Sequence, residues 1–359
     1  MSYPKLTFAL LKIMENIHAT PVRRLPAEWE KQSLVQLTFP HEGTDWADSL
    51  EIVLPCFVQI AETISQFQKV LIVCRNAAET RALITNGNAV NILYEEIPSN
   101  DTWARDHGGI AVWEDEKPVL FDFVFNGWGL KFPSDKDNLI TSRLYDKGHL
   151  KAEYRHGGMV LEGGGIESDG QGTLLTTSEC LCSPNRNPHW SSIEIETLLK
   201  DIFGLQRVLW LHHGYLAGDD TDSHIDTLAR FCAVDTIAYV QCPDAEDEHF
   251  EALQQMEQEL QQFTTSNGKP YRLVPLPWPE ACYDAEGNRL PATYANFLII
   301  NGAVLLPTYG VPQDEAAIAV CQGLFPDREI IGINCRSLIE QHGSLHCVTM
   351  QYPIGFLYS

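Results

Sequence analysis

The chain has 359 residues, 44% of them hydrophobic, which is enough to fill a large core and too much for a disordered protein. Lysine and arginine number 25 against 48 aspartates and glutamates, a formal charge of −23, so a nucleic-acid partner is disfavoured by repulsion from phosphate. The same charge would draw in a small cation, although acidity also serves solubility alone.

Read from the start, MSYPKLTFALLKIMENIHATPVRR carries a short apolar run broken by Lys12 and followed by Glu15. It has no small-residue cleavage pattern, so it reads as a short helix or an irregular segment and not as a signal peptide. No run of 18 apolar residues follows, so no membrane span is expected and the chain is placed in the cytoplasm. Strands are predicted at 34–39, 69–74, 109–113, 119–125 and 172–177. A helix at 48–67 starts or kinks at Pro55. Another, 191–204, opens on serine and closes on glycine. Strands at 207–212, 228–234 and 237–242 come next, then an amphipathic helix at 247–265. The proline-rich 268–280 reads as a surface connection. Residues 296–309 form a hairpin about Asn301-Gly302, and a helix at 314–325 and a strand at 345–353 end the chain. Hairpins among helices favour mixed sheets over purely parallel ones, and no low-complexity linker divides the chain.

Ten cysteines lie scattered, several in hydrophobic runs (Cys56, Cys74, Cys232), with no C-x-x-C pair. They read as reduced thiols, and a structural zinc site is not expected.

Four polar constellations interrupt these elements. Trp103, Arg105 and Asp106 precede a glycine pair and a strand; alone, they read as a solvated turn. Glu162 ends an apolar strand and is followed by Gly163, Gly164 and Gly165, where the backbone can approach a ligand; the dinucleotide spacing is absent. His212, His213, Asp219, Asp220, Asp222, His224 and Asp226 crowd together, with His224 and Asp226 on one face of a strand if they lie on one. This 212–226 cluster admits a metal-dependent hydrolase as a rival reading, although the EF-hand and H-E-x-x-H patterns fail. Cys347 follows a turn at His342, Gly343 and Ser344 and enters a strand; a core cysteine is the plain alternative. From Asp106 to Glu162 and from Glu162 to His224 is roughly sixty residues, and from His224 to Cys347 about twice that, as if one structural unit were silent.

Together the four supply what attack on a guanidinium carbon needs. Carboxylates bind the planar N–H edges. A thiolate stands over the carbon. A histidine protonates the leaving nitrogen and later activates water. No metal or cofactor is called for, because the cation is already electrophilic.

The motifs DTWARDHG, LEGGGIESDGQGTLLTTSECLCSPNRNP, DDTDSHIDTLARF and GSLHCVTMQYP resemble those of the agmatine deiminases and bacterial-type peptidyl-arginine deiminases, across most of the chain. The resemblance implies a single catalytic domain over 1–359 with the pentein fold, an α/β propeller of five pseudo-symmetric ββαβ units around a central site. It implies Cys347 as nucleophile, His224 as general acid/base, Asp106 and Asp226 as guanidinium-binding carboxylates, Glu162 orienting substrate and His224, and Trp103 walling the substrate's aliphatic arm. Agmatine is the substrate implied, with N-carbamoylputrescine and ammonia as products; peptidyl-arginine or free arginine is the runner-up. Departures from the family pattern, such as His342-Gly343-Ser344 where Gly-Gly-Asn is frequent, bear on the substrate's distal end. No nucleic-acid or membrane partner is implied, and a homo-oligomer is left open.

Overall fold

The computed structural model describes residues 21–357; the reading of the first twenty residues lies outside it. Five separate sheets share one pattern, in which two antiparallel strands are followed by a helix and a third strand parallel to the second. One sheet joins the chain's two ends. Thr349–Pro353 lies antiparallel to Gln32–Thr38, which is parallel to Lys69–Cys74 across the helix Leu50–Phe67. The next contains Ile110–Glu114, Lys117–Val124 and Glu153–Val160, with the helix Ile140–Asp146 in its crossover. Then come Ile166–Ser168, Thr173–Thr177 and Arg207–Leu211, crossed by Ser192–Phe203. Ala229–Ala233, Thr236–Val240 and Arg272–Leu276 follow, crossed by Phe250–Gln262. Leu298–Ile300, Ala303–Thr308 and Glu329–Asn334 complete the set, crossed by Asp314–Leu324. This is the five-unit ββαβ pattern of a pentein.

Local chemistry explains the elements. Lys69–Cys74 is an almost unbroken apolar run because it is paired on both edges and buried from its second residue onward. Asn301-Gly302 closes a two-residue hairpin, and Gly302 takes a φ of +78°, a conformation that would strain a larger residue. The helix Ser192–Phe203 opens on a capping box, with Ser191 and Glu194 each satisfying the other's backbone N–H, and ends at Gly204 with φ +67°.

Some expectations need correction. Pro55 neither starts nor breaks its helix, which runs through it from Leu50. Residues 268–280 are not merely a connection, because Arg272–Leu276 is a strand. It tolerates Pro275 because it is the outer strand of its sheet. Glu153–Val160 and Glu329–Asn334 went unpredicted for a related reason. Both are outer strands whose residues are partly exposed, so their apolar alternation is weak. Ala47–Phe67 is long and apolar enough to cross a bilayer by length and composition. Here Val53, Phe57, Ile60 and Ile64 are buried in the largest core cluster, together with Val70 and Ile72 of the adjacent strand.

Candidate active site

Each unit carries one polar residue just ahead of its first strand. Asp106 precedes Ile110–Glu114, Glu162 precedes Ile166–Ser168, and Asp226 precedes Ala229–Ala233. Asn296 precedes Leu298–Ile300, and Cys347 precedes Thr349–Pro353. All five are buried. The strand-to-loop junctions hold them rigidly, and the side chains meet at one place. A methyl group built on Gly164 would lie 2.5 Å from His224 Nδ1, 2.8 Å from Asp106 Oδ1 and 3.2 Å from Asp226 Oδ2. Glycine is therefore required where three ionisable groups crowd against the backbone. His224 and Asp226 do share this focus. They do so from a 3₁₀ turn, Ile225–Thr227, which contains Asp226 and which His224 immediately precedes, and not from the face of a strand.

Cys347 Sγ lies 3.3 Å from Asn296 Nδ2 and 3.9 Å from Asp226 Oδ2. Burial pushes its thiol well above the ordinary range, and the carboxylates of Asp226 and Asp106 push it further. His224 has Nε2 3.5 Å from Glu162 Oε2 and Nδ1 3.6 Å from Asp106 Oδ1. Burial opposes its charge, but Asp106, Cys180 and Glu162 outweigh burial and hold the imidazole well above its usual value. Asp106 is pushed up to about 6 by burial and by the charges of Asp226 and Glu162, against the pull of His224. Gly164 N–H donates to its Oδ1 at 3.2 Å and Trp128 Nε1–H to its Oδ2 at 3.0 Å. Glu162 would also be raised by burial, yet His224 and the guanidinium of Arg186, whose Nε lies 2.8 Å away, hold it below the usual carboxylate range. Arg186 also binds Asp222 through Nη1 at 2.5 Å.

Asp106 and Cys347 open onto a cavity of about 130 Å³, walled by Trp103, Trp128 and Phe132 and bordered by Asp45, Asp101 and Asp220. No lysine or arginine is among the described residues that line it. Trp103 is fixed by donating Nε1–H to Asp101 Oδ2 at 3.1 Å, and it packs so closely on Gly343 that a Cβ there would fall 2.2 Å from its ring.

The Porphyromonas-type peptidyl-arginine deiminase family model matches residues 24–353. The chain belongs to this family. An agmatine deiminase of Pseudomonas aeruginosa (strain UCBPP-PA14) is 32% identical over 95% of this chain and 99% of its own. A Porphyromonas gingivalis structure, named as a candidate arginine deiminase, has 54% identity and a TM-score of 0.90, covering 94% of this chain and 100% of its own. A cysteine-to-serine form of the C. jejuni agmatine deiminase with substrate bound has 38% identity and a TM-score of 0.87, covering 94% and 98%.

In this deiminase-family site, sequence reading found Asp106, Glu162, His224, Asp226, Cys347 and Trp103, and the structure brings all six together. It missed Asn296, Trp128 and Arg186. Asn296 belongs to the silent unit between His224 and Cys347, so the rough spacing was its one signal. Arg186 lies within one of the family motifs, but nothing in the sequence pairs it with Glu162.

The 212–226 cluster does not converge as a metal site would. His213 binds Glu259, Asp219 caps Thr221 and Ser223, Asp222 binds Lys131 and Arg186, and Asp220 faces the cavity. Two buried triads, Glu162–Cys180–His224, which draws His224 from this cluster, and Glu28–Glu167–His346, hold potential ligand atoms within 4.8 Å of one another. In both, an arginine already occupies the carboxylates: Arg186 on Glu162, and Arg230 on Glu28 and Glu167.

Proposed function

We propose that this chain is an agmatine deiminase, converting agmatine and water to N-carbamoylputrescine and ammonia through a covalent thiouronium on Cys347. The observation that carries the reading is the cavity. Asp106 and Cys347 line it, with His224 against Asp106 and Asp226 against Cys347, and its lining also carries Asp45, Asp101 and Asp220 without a lysine or arginine among the described residues. A guanidinium beside Asp106 and Cys347 and an ammonium beside the other lining aspartates match this charge pattern. The carboxylate of free arginine does not.

Asp106 and Asp226 take the N–H edges of the guanidinium and fix its plane. Placing a cation between them offsets the two charges that hold the Cys347 proton, so the thiol loses it to solvent as substrate binds. The Sγ–C bond forms. The C–N bond then breaks as His224, protonated at rest, gives its proton to the leaving nitrogen, and ammonia departs. The neutral His224 accepts a proton from water, the hydroxide adds to the thiouronium carbon, and the C–S bond breaks. The O–H proton passes to the departing thiolate, leaving the neutral ureido product and the Cys347 thiol. Glu162, anchored by Arg186, keeps the imidazole oriented throughout.

A second reading, turnover of free or peptidyl arginine, is favoured by the 54% identity to the P. gingivalis protein named as a candidate arginine deiminase. Incubation with agmatine, arginine and an arginine peptide in parallel, with ammonia and ureido product assayed, separates the two. Turnover of agmatine alone supports the first; turnover of arginine or the peptide at a comparable kcat/KM moves the substrate while keeping the chemistry. The ten cysteines are free thiols, as a reducing compartment allows, and we place the enzyme in the cytoplasm.

A further inference from the structure

Beside the nucleophile, outside the lining of the cavity, lies a buried row of hydrogen-bonded ionisable side chains. His346, next to Cys347, is 1% exposed. Its Nδ1 lies 2.7 Å from Asp226 Oδ2 and its Nε2 lies 2.6 Å from Glu28 Oε2. Glu28 reaches this point from a segment 318 residues away in sequence. It is fixed there by the backbone N–H of Ile299 on Oε1 at 2.7 Å and by Arg230 Nη2 on Oε2 at 2.9 Å. Arg230 is fully buried. It also binds Glu167, donates to the carbonyls of Ala295 and Phe297, and stacks on the Phe297 ring at 4.6 Å. The row therefore runs from Asp226 through His346, Glu28 and Arg230 to Glu167, and ties several units together at the centre.

Only one end of this row reaches the site. Asp226 has Oδ2 held by His346, while its Oδ1 has no hydrogen-bond partner among the described residues. A carboxylate on a short stem would swing if nothing held it. An imidazole clamped between two carboxylates cannot rotate, so it fixes which oxygen is bound and which is free. We propose that His346 and Glu28 are positioning residues for substrate. They pin Asp226 through Oδ2 and leave Oδ1 aimed at the guanidinium N–H groups. Their role toward the guanidinium rests on the deiminase reading above.

The groups facing Asp226 are His346, His224, Arg230, Arg105, Asp106 and Cys347. Removing His346 withdraws the nearer of the two groups on Oδ2, its Nδ1 at 2.7 Å against 3.9 Å for the Cys347 sulfur. Asp226 then becomes both mobile and easier to protonate.

The test is steady-state kinetics on agmatine with Glu28→Gln and His346→Gln across pH 5 to 9, alongside thermal melts. Glu28→Gln keeps the shape and the acceptor for Ile299 N–H, so it serves if His346→Gln fails to fold. The expected result is a rise in KM of tenfold or more in either variant, growing as the pH falls. A purely structural role would lower kcat in step with the folded fraction and leave KM where it was, and that outcome overturns the proposal. Wild-type enzyme inert toward agmatine, arginine and an arginine peptide overturns the deiminase reading first, and this assignment with it.

Discussion

Asn296 Oδ1 accepts the backbone N–H of His346 at 2.8 Å and of Cys347 at 3.3 Å, while its Nδ2 lies 3.3 Å from Cys347 Sγ. One side chain thus shapes the loop that presents the nucleophile and supplies a donor to its sulfur. Asn296→Ala should leave the buried Cys347 N–H unpaired, at a cost of about 1–3 kcal/mol, while the His346 N–H keeps the backbone carbonyl of residue 296 at 3.2 Å. We expect a lower melting temperature together with a fall in kcat of about tenfold or more; kcat per folded molecule equal to wild type would show that Asn296 shapes the loop and nothing else.

Cys347→Ala should abolish turnover, by about a thousandfold or more, while agmatine still binds, because Asp106, Asp226 and the acidic lining remain. Calorimetric titration beside an ammonia assay checks both halves. A variant retaining a tenth of the activity would refute the covalent step.

Gly164→Ala should damage the site without unfolding the protein. Its Cβ would fall 2.5 Å from His224 Nδ1 and 2.8 Å from Asp106 Oδ1, so both side chains must move. Displacements near 1 Å at reacting groups cost about a hundredfold in rate. Circular dichroism should be unchanged and kcat should fall by about that factor; wild-type kcat would show that the groups relax freely.

Activity should fall on the acid side as Asp106, pushed up to about 6, takes a proton and stops binding a cation. Asp101 in the cavity lining, pushed up to about 7 by burial and by Asp45, acts in the same direction on the ammonium. On the alkaline side the loss comes when His224 gives up its proton, above the ordinary imidazole range because its carboxylate neighbours hold it. A kcat/KM profile for agmatine should therefore drop as pH descends from 7 to 6. A flat profile down to pH 5 would exclude Asp106 as an obligatory anion.

Asp45→Asn and Asp101→Asn should raise KM for agmatine by about tenfold, the value of one charge-assisted contact, with smaller effects on kcat. Relative turnover of arginine should improve, since its carboxylate would meet less repulsion. Unchanged agmatine KM in both variants would place the ammonium elsewhere.

What the sequence determined by itself is the set of polar groups that converge at the site. Asp106, Glu162, His224, Asp226 and Cys347 are conspicuous because each is a polar residue interrupting or adjoining an apolar run, and such breaks are local and legible. Helices with strong caps, such as Ser192–Phe203, and hairpins such as the one at Asn301-Gly302 are local too, and their bounds were read closely. Outer strands were not, because half-exposed residues and a proline blur the period at Arg272–Leu276. Only the tertiary structure could decide the partners. Asn296 sits in an apolar run that reads as plain strand, and it matters because the fifth unit brings it to Cys347. Arg186 meets Glu162, Trp128 meets Asp106, and Glu28 meets His346 across 318 residues, because the five sheets assemble with their first strands sharing one centre. Sequence spacing carries no trace of such pairings. They are fixed by the closing of the ring, when Thr349–Pro353 pairs with Gln32–Thr38 and buries charges that must then find one another.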